Sequence, residues 1–164
     1  MVRIQESGMT FGPFEENQVY QIEKSEAYTG LGEGVKVVEF IYRPGKDKIF
    51  FVEAKKSSPM PKNKNEFERF IGDIVQKFTH SFNLWLTLNL NRRKDVISDD
   101  ILDVSTERQI FRFVLVINGH EKAWLPPIKA AIERKMLVEI KIWGHVIIVI
   151  NEKQAAERRL INMN

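Results

Sequence analysis

A chain of 164 residues is long enough to bury a sizeable core as one domain, and 43% hydrophobic with 29% charged residues is globular, not disordered, composition. The lack of cysteine excludes disulfides and a thiolate zinc centre. No basic stretch leads into an apolar one at the N-terminus, and the longest apolar run (146–150) is too short for a bilayer, so neither a secretory leader nor a membrane span is expected and the cytoplasm is the default location. The net charge of +3 suits an anionic partner without requiring one.

The first seventeen residues, with Gly8, Gly12 and Pro13, read as irregular. Residues 19–22 are β-branched and aromatic and favour a short strand, with a helix from about Phe14 as the competing reading. Two apolar-rich runs, 35–43 and 48–55, flank Pro44-Gly45-Lys46-Asp47 and read as a β-hairpin. Residues 57–65, with Pro59 and Pro61, form a loop. From about Glu66, apolar residues recur at helical spacing (Phe67, Phe70, Ile71, Ile74, Val75, Phe78, Phe82) and predict a long helix into residues 84–90. Residues 91–107 are polar, with a helical turn expected over 99–103. A buried strand over 111–117 ends at Asn118-Gly119. Pro126 and Pro127 open a helix to about Met136. Residues 137–143 and 146–150 read as strands across Gly144-His145, and a charged helix from Glu152 closes the chain. The pattern predicts an α/β fold, a mixed central sheet flanked by helices, within a single domain over 1–164.

The hairpin concentrates the residues able to do chemistry. With the turn centred at Gly45-Lys46, paired positions sum to about 91–92, which sets Glu39 opposite Glu53 at the upper value. Directly opposed Cβ atoms lie about 4.5–5.5 Å apart, and Lys55, two residues on, shares the Glu53 face. Opposed carboxylates repel unless neutralised, and a hard divalent cation with oxygen ligands, Mg²⁺ or Mn²⁺, is a natural neutraliser. A neighbouring ammonium would stabilise charge on an attacking hydroxide or a phosphate. The competing arrangement is an open sheet face on which all three meet solvent and Lys55 pairs with Glu53 or Glu39.

Residues 35–55, running Val-Lys-Val-Val-Glu-Phe-Ile … Phe-Phe-Val-Glu-Ala-Lys, resemble the core motif of the PD-(D/E)XK nuclease superfamily. That family joins an acid on one strand to a second strand ending Glu-X-Lys, followed by a helix that crosses to a further strand. The resemblance spans residues 19–118 and implies a restriction-endonuclease-like core. It implies that Glu53 and Glu39 bind metal, that the Ala54 backbone carbonyl adds a ligand, and that Lys55 assists the attacking water. Gln76 and His80 have the spacing of a helical Gln and Tyr found in some members, with His replacing Tyr. The departures are the absence of a Pro-Asp pair and a Glu at position 39 where Asp is usual.

Glu23 would add a third carboxylate if its strand neighbours the hairpin; otherwise it is a surface residue paired with Lys24. Lys56, Lys62 and Lys64 would meet phosphates of a nucleic acid, DNA above RNA, with Gln76 beside them. They, with Lys55, and the second cluster, Arg92, Arg93 and Lys94, also read as solvated segments. His80, His120 and His145 show no metal-ligand spacing. Ser57 and Ser58 have no neighbouring base in sequence and read as loop residues. Three functions follow: a metal-dependent nuclease, a nuclease-like fold that only binds nucleic acid or protein, and an interaction module, including a homodimer. No membrane partner is expected.

Overall fold

The computed structural model describes residues 1–102 and 109–161. Among them, seven strands and six helices follow in chain order: β1 (Val2–Glu6), β2 (Met9–Phe14), β3 (Val19–Tyr20), α1 (Glu26–Thr29), β4 (Phe40–Gly45), β5 (Lys48–Lys55), α2 (Lys64–Asn89), α3 (Asp99–Leu102), β6 (Ile110–Ile117), α4 (Leu125–Lys135), α5 (Leu137–Trp143), β7 (Val146–Asn151) and α6 (Glu152–Glu157). The main sheet runs β3-β4-β5-β6-β7. Its β3–β4 and β4–β5 pairs are antiparallel, and β5–β6 and β6–β7 are parallel. The sheet is therefore mixed, as expected, with α2 and then α4 and α5 making the crossovers that parallel neighbours require.

β5 is central, so both its faces are buried. Ile49 and Phe51 look into a core built with α2 and α4, while Val52 and Ala54 look into a second core under the β1–β2 hairpin and the C-terminal segment. Phe51 stacks on Phe113 at 4.9 Å and meets Phe82 and Trp85 edge-on. Burial of one such ring stabilises the fold by about 1.5–3 kcal/mol. No described helix is long and apolar enough to cross a membrane.

Three expectations need correction. The first seventeen residues are not irregular: β1 and β2 form a hairpin, Ser7 (φ 51) and Gly8 (φ 78) both take left-handed conformations, and Glu6 pairs with Met9. Two positive-φ residues match the twist of flanking strands, and alternating Ile4, Met9 and Phe11 bury one face. Glu16–Gln18 is a single 3₁₀ turn, so no helix begins at Phe14. The first strand of the central hairpin starts at Phe40, not at 35, because Val37 and Val38 both turn into the α2-side core instead of alternating.

The third correction concerns 137–143, a helix and not a strand. Met136 and Ile140, four residues apart, share the core-facing side, and the left-handed Gly144 (φ 67) ends the helix with its amide on the Ile140 carbonyl. β7 then enters at the edge of the sheet, parallel to β6. The turn expected over 99–103 is present as Asp99–Leu102, and Asp103 lies outside the described residues.

Candidate active site

The hairpin register is Phe40↔Val52, Ile41↔Phe51 and Tyr42↔Phe50, which brings Glu39 beside Glu53. The Glu39 amide donates to the Val52 carbonyl at 3.1 Å. Val52 already faces Phe40, so two residues oppose one, as in a β-bulge, where β4 begins. Ile49, Phe51, Glu53 and Lys55 share one side of β5 by alternation. At Phe51 that side meets aromatic rings of α2; two residues later it meets Lys77, near the middle of the same helix.

Glu53 is fully buried. Its Oε1 lies 2.8 Å from Lys77 Nζ and 3.0 Å from Lys55 Nζ. Lys77 is also 4.0 Å from Glu39 Oε1, and Lys55 is 3.9 Å from Asp73, which pairs with Lys36 at 2.6 Å. The other Glu53 oxygen, Oε2, is buried and meets no hydrogen-bond partner among the described residues. Around Glu39 a second group converges: Glu6, Glu23 and Glu39 each bring a carboxylate oxygen to within 4.8 Å of the others. Glu23 comes from the 3₁₀ turn Ile22–Lys24 and Glu6 from the end of β1.

Glu39, Glu53 and Asp73 thus meet two half-buried ammonium groups, Lys55 and Lys77, with Glu6 and Glu23 gathered around Glu39 and Lys36 on the outer side of Asp73. Burial, a hydrogen bond to Glu23 and the charges of Glu53 and Glu23 push the Glu39 carboxyl up to about 9, against the opposing pull of Lys77. Burial also raises Glu53, opposed by Lys77 and Lys55. For Lys77, burial acts downward, yet the attraction of Glu53, Glu39 and Glu23 prevails and holds it above its usual value. The site carries more negative charge than its lysines neutralise, and Glu39 answers by keeping a proton.

Of the residues singled out from sequence, Glu23, Glu39, Glu53 and Lys55 come together here. Ala54 lies between Glu53 and Lys55 with its side chain buried in the opposite core. Lys56, Lys62 and Lys64 are exposed on the loop after β5 and at the start of α2. Gln76 is exposed on α2, and His80 Nδ1 accepts the Lys36 amide at 3.1 Å. Arg92, Arg93 and Lys94 line a separate concavity of about 680 Å³ with Glu26, Ala27 and Thr87.

Sequence reasoning missed Glu6, Lys77 and Asp73. Asp73 and Lys77, four residues apart, flank the apolar stripe of α2, and that spacing was the available signal. Glu6 gave none once its segment was read as irregular. Ser58, read as a loop residue, places its Oγ 2.6 Å from His120 Nε2, and the Asn118 amide donates to the Lys55 carbonyl to tie that rim to β5. Burial lowers His120, opposed by Glu152.

No family model, no curated protein and no solved structure matched this chain.

Proposed function

We propose that the chain is a metal-dependent nuclease that hydrolyses phosphodiester bonds in nucleic acid, DNA above RNA, on a restriction-endonuclease-like core. The observation that carries this reading is the convergence of Glu6, Glu23 and Glu39 beside a fully buried Glu53 whose Oε2 is unpartnered among the described residues. The donor set fits Mg²⁺ or Mn²⁺: it consists of carboxylate oxygens, the ligands such hard cations prefer. Glu39 and Glu53 would hold the ion, with Glu6, Glu23 and the Ala54 carbonyl as further ligands. When bound, the cation supplies Lewis acidity toward a phosphoryl oxygen and lowers the pKa of a bound water.

The chain's own residues do the rest. Lys55 Nζ, held by Glu53 at 3.0 Å, presents a positive charge at the mouth of the site, where it orients the attacking water and stabilises developing negative charge. Lys77 holds the inner oxygen of Glu53 so that Oε2 stays free to ligate. Lys56, Lys62 and Lys64 attract the phosphate backbone independently of sequence. The Lys55–Glu53–Lys77 arrangement also supports a second reading, a self-satisfied ion cluster in a fold that binds nucleic acid or protein without cutting.

The two readings separate in a cleavage assay with Mg²⁺ or Mn²⁺ on single-stranded, duplex and branched DNA and on RNA. We expect cutting by the wild type and its loss in Glu53→Ala and Lys55→Ala variants that still melt cooperatively. Salt-sensitive binding with no cutting of any substrate would discard the nuclease reading in favour of the second.

A further inference from the structure

The other face of the sheet holds a feature that the carboxylate cluster does not use. Beyond the edge of the second core, Tyr42 of β4, Phe50 of β5, Arg112 and Val114 of β6 and Ile148 of β7 floor a concavity of about 480 Å³. Its rim is Lys48 at the start of β5 and Arg158, Arg159 and Leu160 after α6. That volume falls within the range of small-molecule sites, about 300–1,000 Å³.

The floor is aromatic and branched-aliphatic. Phe14 lies 4.3 Å from Tyr42, Tyr42 stacks toward Phe50 at 6.1 Å, and the Arg112 guanidinium sits 5.7 Å over the Phe50 ring. The charges are all of one sign. Lys48, Arg112, Arg158 and Arg159 line the concavity, no acidic residue does so among the described residues, and no described carboxylate pairs with any of the four. Arg112 Nη1 is buried and meets no acceptor among the described residues. A buried guanidinium donor without an acceptor is unfavourable, and an anion entering from the mouth removes that penalty.

The backbone holds two of these cations in place at some cost. Arg159 has φ 59, at the position just past a helix where glycine is the usual occupant. The turn is pinned by the Leu160 amide on the Ala155 carbonyl and by the Gly12 amide on the Leu160 carbonyl. A left-handed arginine is retained there, with its neighbour Arg158, on the rim of an aromatic floor.

An unpaired cation set above stacked rings matches a ligand that carries both phosphate and an aromatic base. We propose that this concavity binds a nucleoside phosphate, with its base on the Tyr42–Phe50 shelf and its phosphates on Arg112, Arg158, Arg159 and Lys48. The site is separate from the carboxylate cluster: Lys48 and Glu53 are five residues apart on β5, about 16 Å along the strand, and side chains at 50 and 53 leave opposite faces. The ligand is a free nucleotide or the phosphorylated end of a strand, since both present the same groups.

The test is titration of the full chain with N-methylanthraniloyl-labelled ATP in the presence of chelator, followed by fluorescence. We expect saturable binding that unlabelled ATP reverses and that adenosine or inorganic phosphate at the same concentration reverses poorly. Arg158→Ala combined with Arg159→Gly, and separately Phe50→Leu, should each weaken binding by about tenfold or more, as expected when one good charge-assisted or stacking interaction is removed. Glycine suits the left-handed position, and unchanged melting of the double variant checks the fold. Glu53→Ala should bind as the wild type does, which keeps this site distinguishable from the proposed nuclease site. Displacement by a 5′-phosphorylated trinucleotide as strong as that by ATP assigns a strand end; weaker displacement assigns a free nucleotide. The proposal is overturned by no saturable binding, by wild-type binding in a double variant of unchanged melting, by inorganic phosphate competing as well as ATP, or by loss of binding in a Glu53→Ala variant that still melts cooperatively.

Discussion

Replacing Glu39 by Gln should stabilise the metal-free protein at neutral and alkaline pH while removing its response to divalent cations. The carboxyl ionises near 4.5 in the unfolded chain and at about 9 in the fold. Between those values the folded state binds more protons, so the contribution of Glu39 to stability is fully present below about 4.5 and is lost as pH rises toward 9. At pH 7 about 2.5 units of that window have been crossed, and at about 1.36 kcal/mol per unit the ceiling is roughly 3 kcal/mol. Glu39 is buried, and Gln replaces one desolvated polar group with another, so the expected gain lies below that ceiling, at about 1–2 kcal/mol. For a chain of this size that is a rise in Tm of about 2–8 °C. Gln keeps the shape and the ability to donate to Glu23, so packing is unchanged.

The assay is thermal melting of wild type and Glu39→Gln at pH 5 and pH 8, each in chelator and in Mg²⁺ or Mn²⁺. In chelator the variant should gain over the wild type more at pH 8 than at pH 5. With cation present the order should reverse, because ligand binding to the native state stabilises by RT ln(1 + [L]/Kd) and only the wild type retains the ligand. A variant less stable than wild type at pH 8 in chelator, or one stabilised equally by the cation, refutes the reasoning.

Lys77→Met should destabilise the protein by about 3 kcal/mol in urea unfolding at neutral pH, since it strips a charged partner from the buried Glu53, while Lys77→Arg should recover part of that loss. Replacing Lys56, Lys62 and Lys64 together by Ala should weaken nucleic-acid binding, read by filter retention, and flatten its salt dependence by about 0.9 in log–log slope for each phosphate no longer neutralised. His145 is packed among Phe82, Phe111, Phe113 and Trp143, and burial lowers it to about 4. Its contribution is therefore lost as pH falls from about 6.5 toward 4, and His145→Phe should resist acid unfolding better than wild type, as followed by circular dichroism.

The elements that could be read from sequence are those whose local pattern and tertiary role agree. The periodic stripe from Phe67 to Phe82 is one face of α2, and the 48–55 run is a strand whose odd and even positions serve two cores. The Glu39–Glu53 neighbourhood was legible from the turn to within one residue, because the register shifts once between Tyr42 and Gly45 and again at the bulge where Glu39 meets Val52. Residues 137–143 failed for the opposite reason. Leu-Val-Glu-Ile-Lys-Ile-Trp has strand composition, and the helix is set by tertiary packing, with Met136 and Ile140 on its core-facing side. The Ser7-Gly8 turn was legible in principle, but Gly12 and Pro13 close by drew the segment toward loop. Glu6 was beyond reach for a different reason: no sequence spacing links it to residue 53, and only the docking of the first hairpin brings it there, while the Asp73–Lys77 spacing marked a charged flank of α2 without saying which strand residue it would meet.

The docking of α2 explains why one helix serves both core and site. Phe82 and Trp85 pack on Phe51, while Lys77 reaches Glu53, so residues later in α2 meet earlier residues of β5 and the two elements run in opposite senses. The aromatic contacts therefore set which α2 side chain faces the buried carboxylate. Sliding α2 by one turn would offer Glu53 either Ser81 or Asp73 in place of Lys77: a hydroxyl without charge, or a further acid with only Lys55 to offset it. Ser81 is already committed, because its Oγ accepts the Val38 amide at 2.8 Å one residue before Glu39. The apolar register of α2 and the anchoring of the strand that carries Glu39 are thus two expressions of the same fit, and the charge balance of the site depends on core packing two residues away along β5.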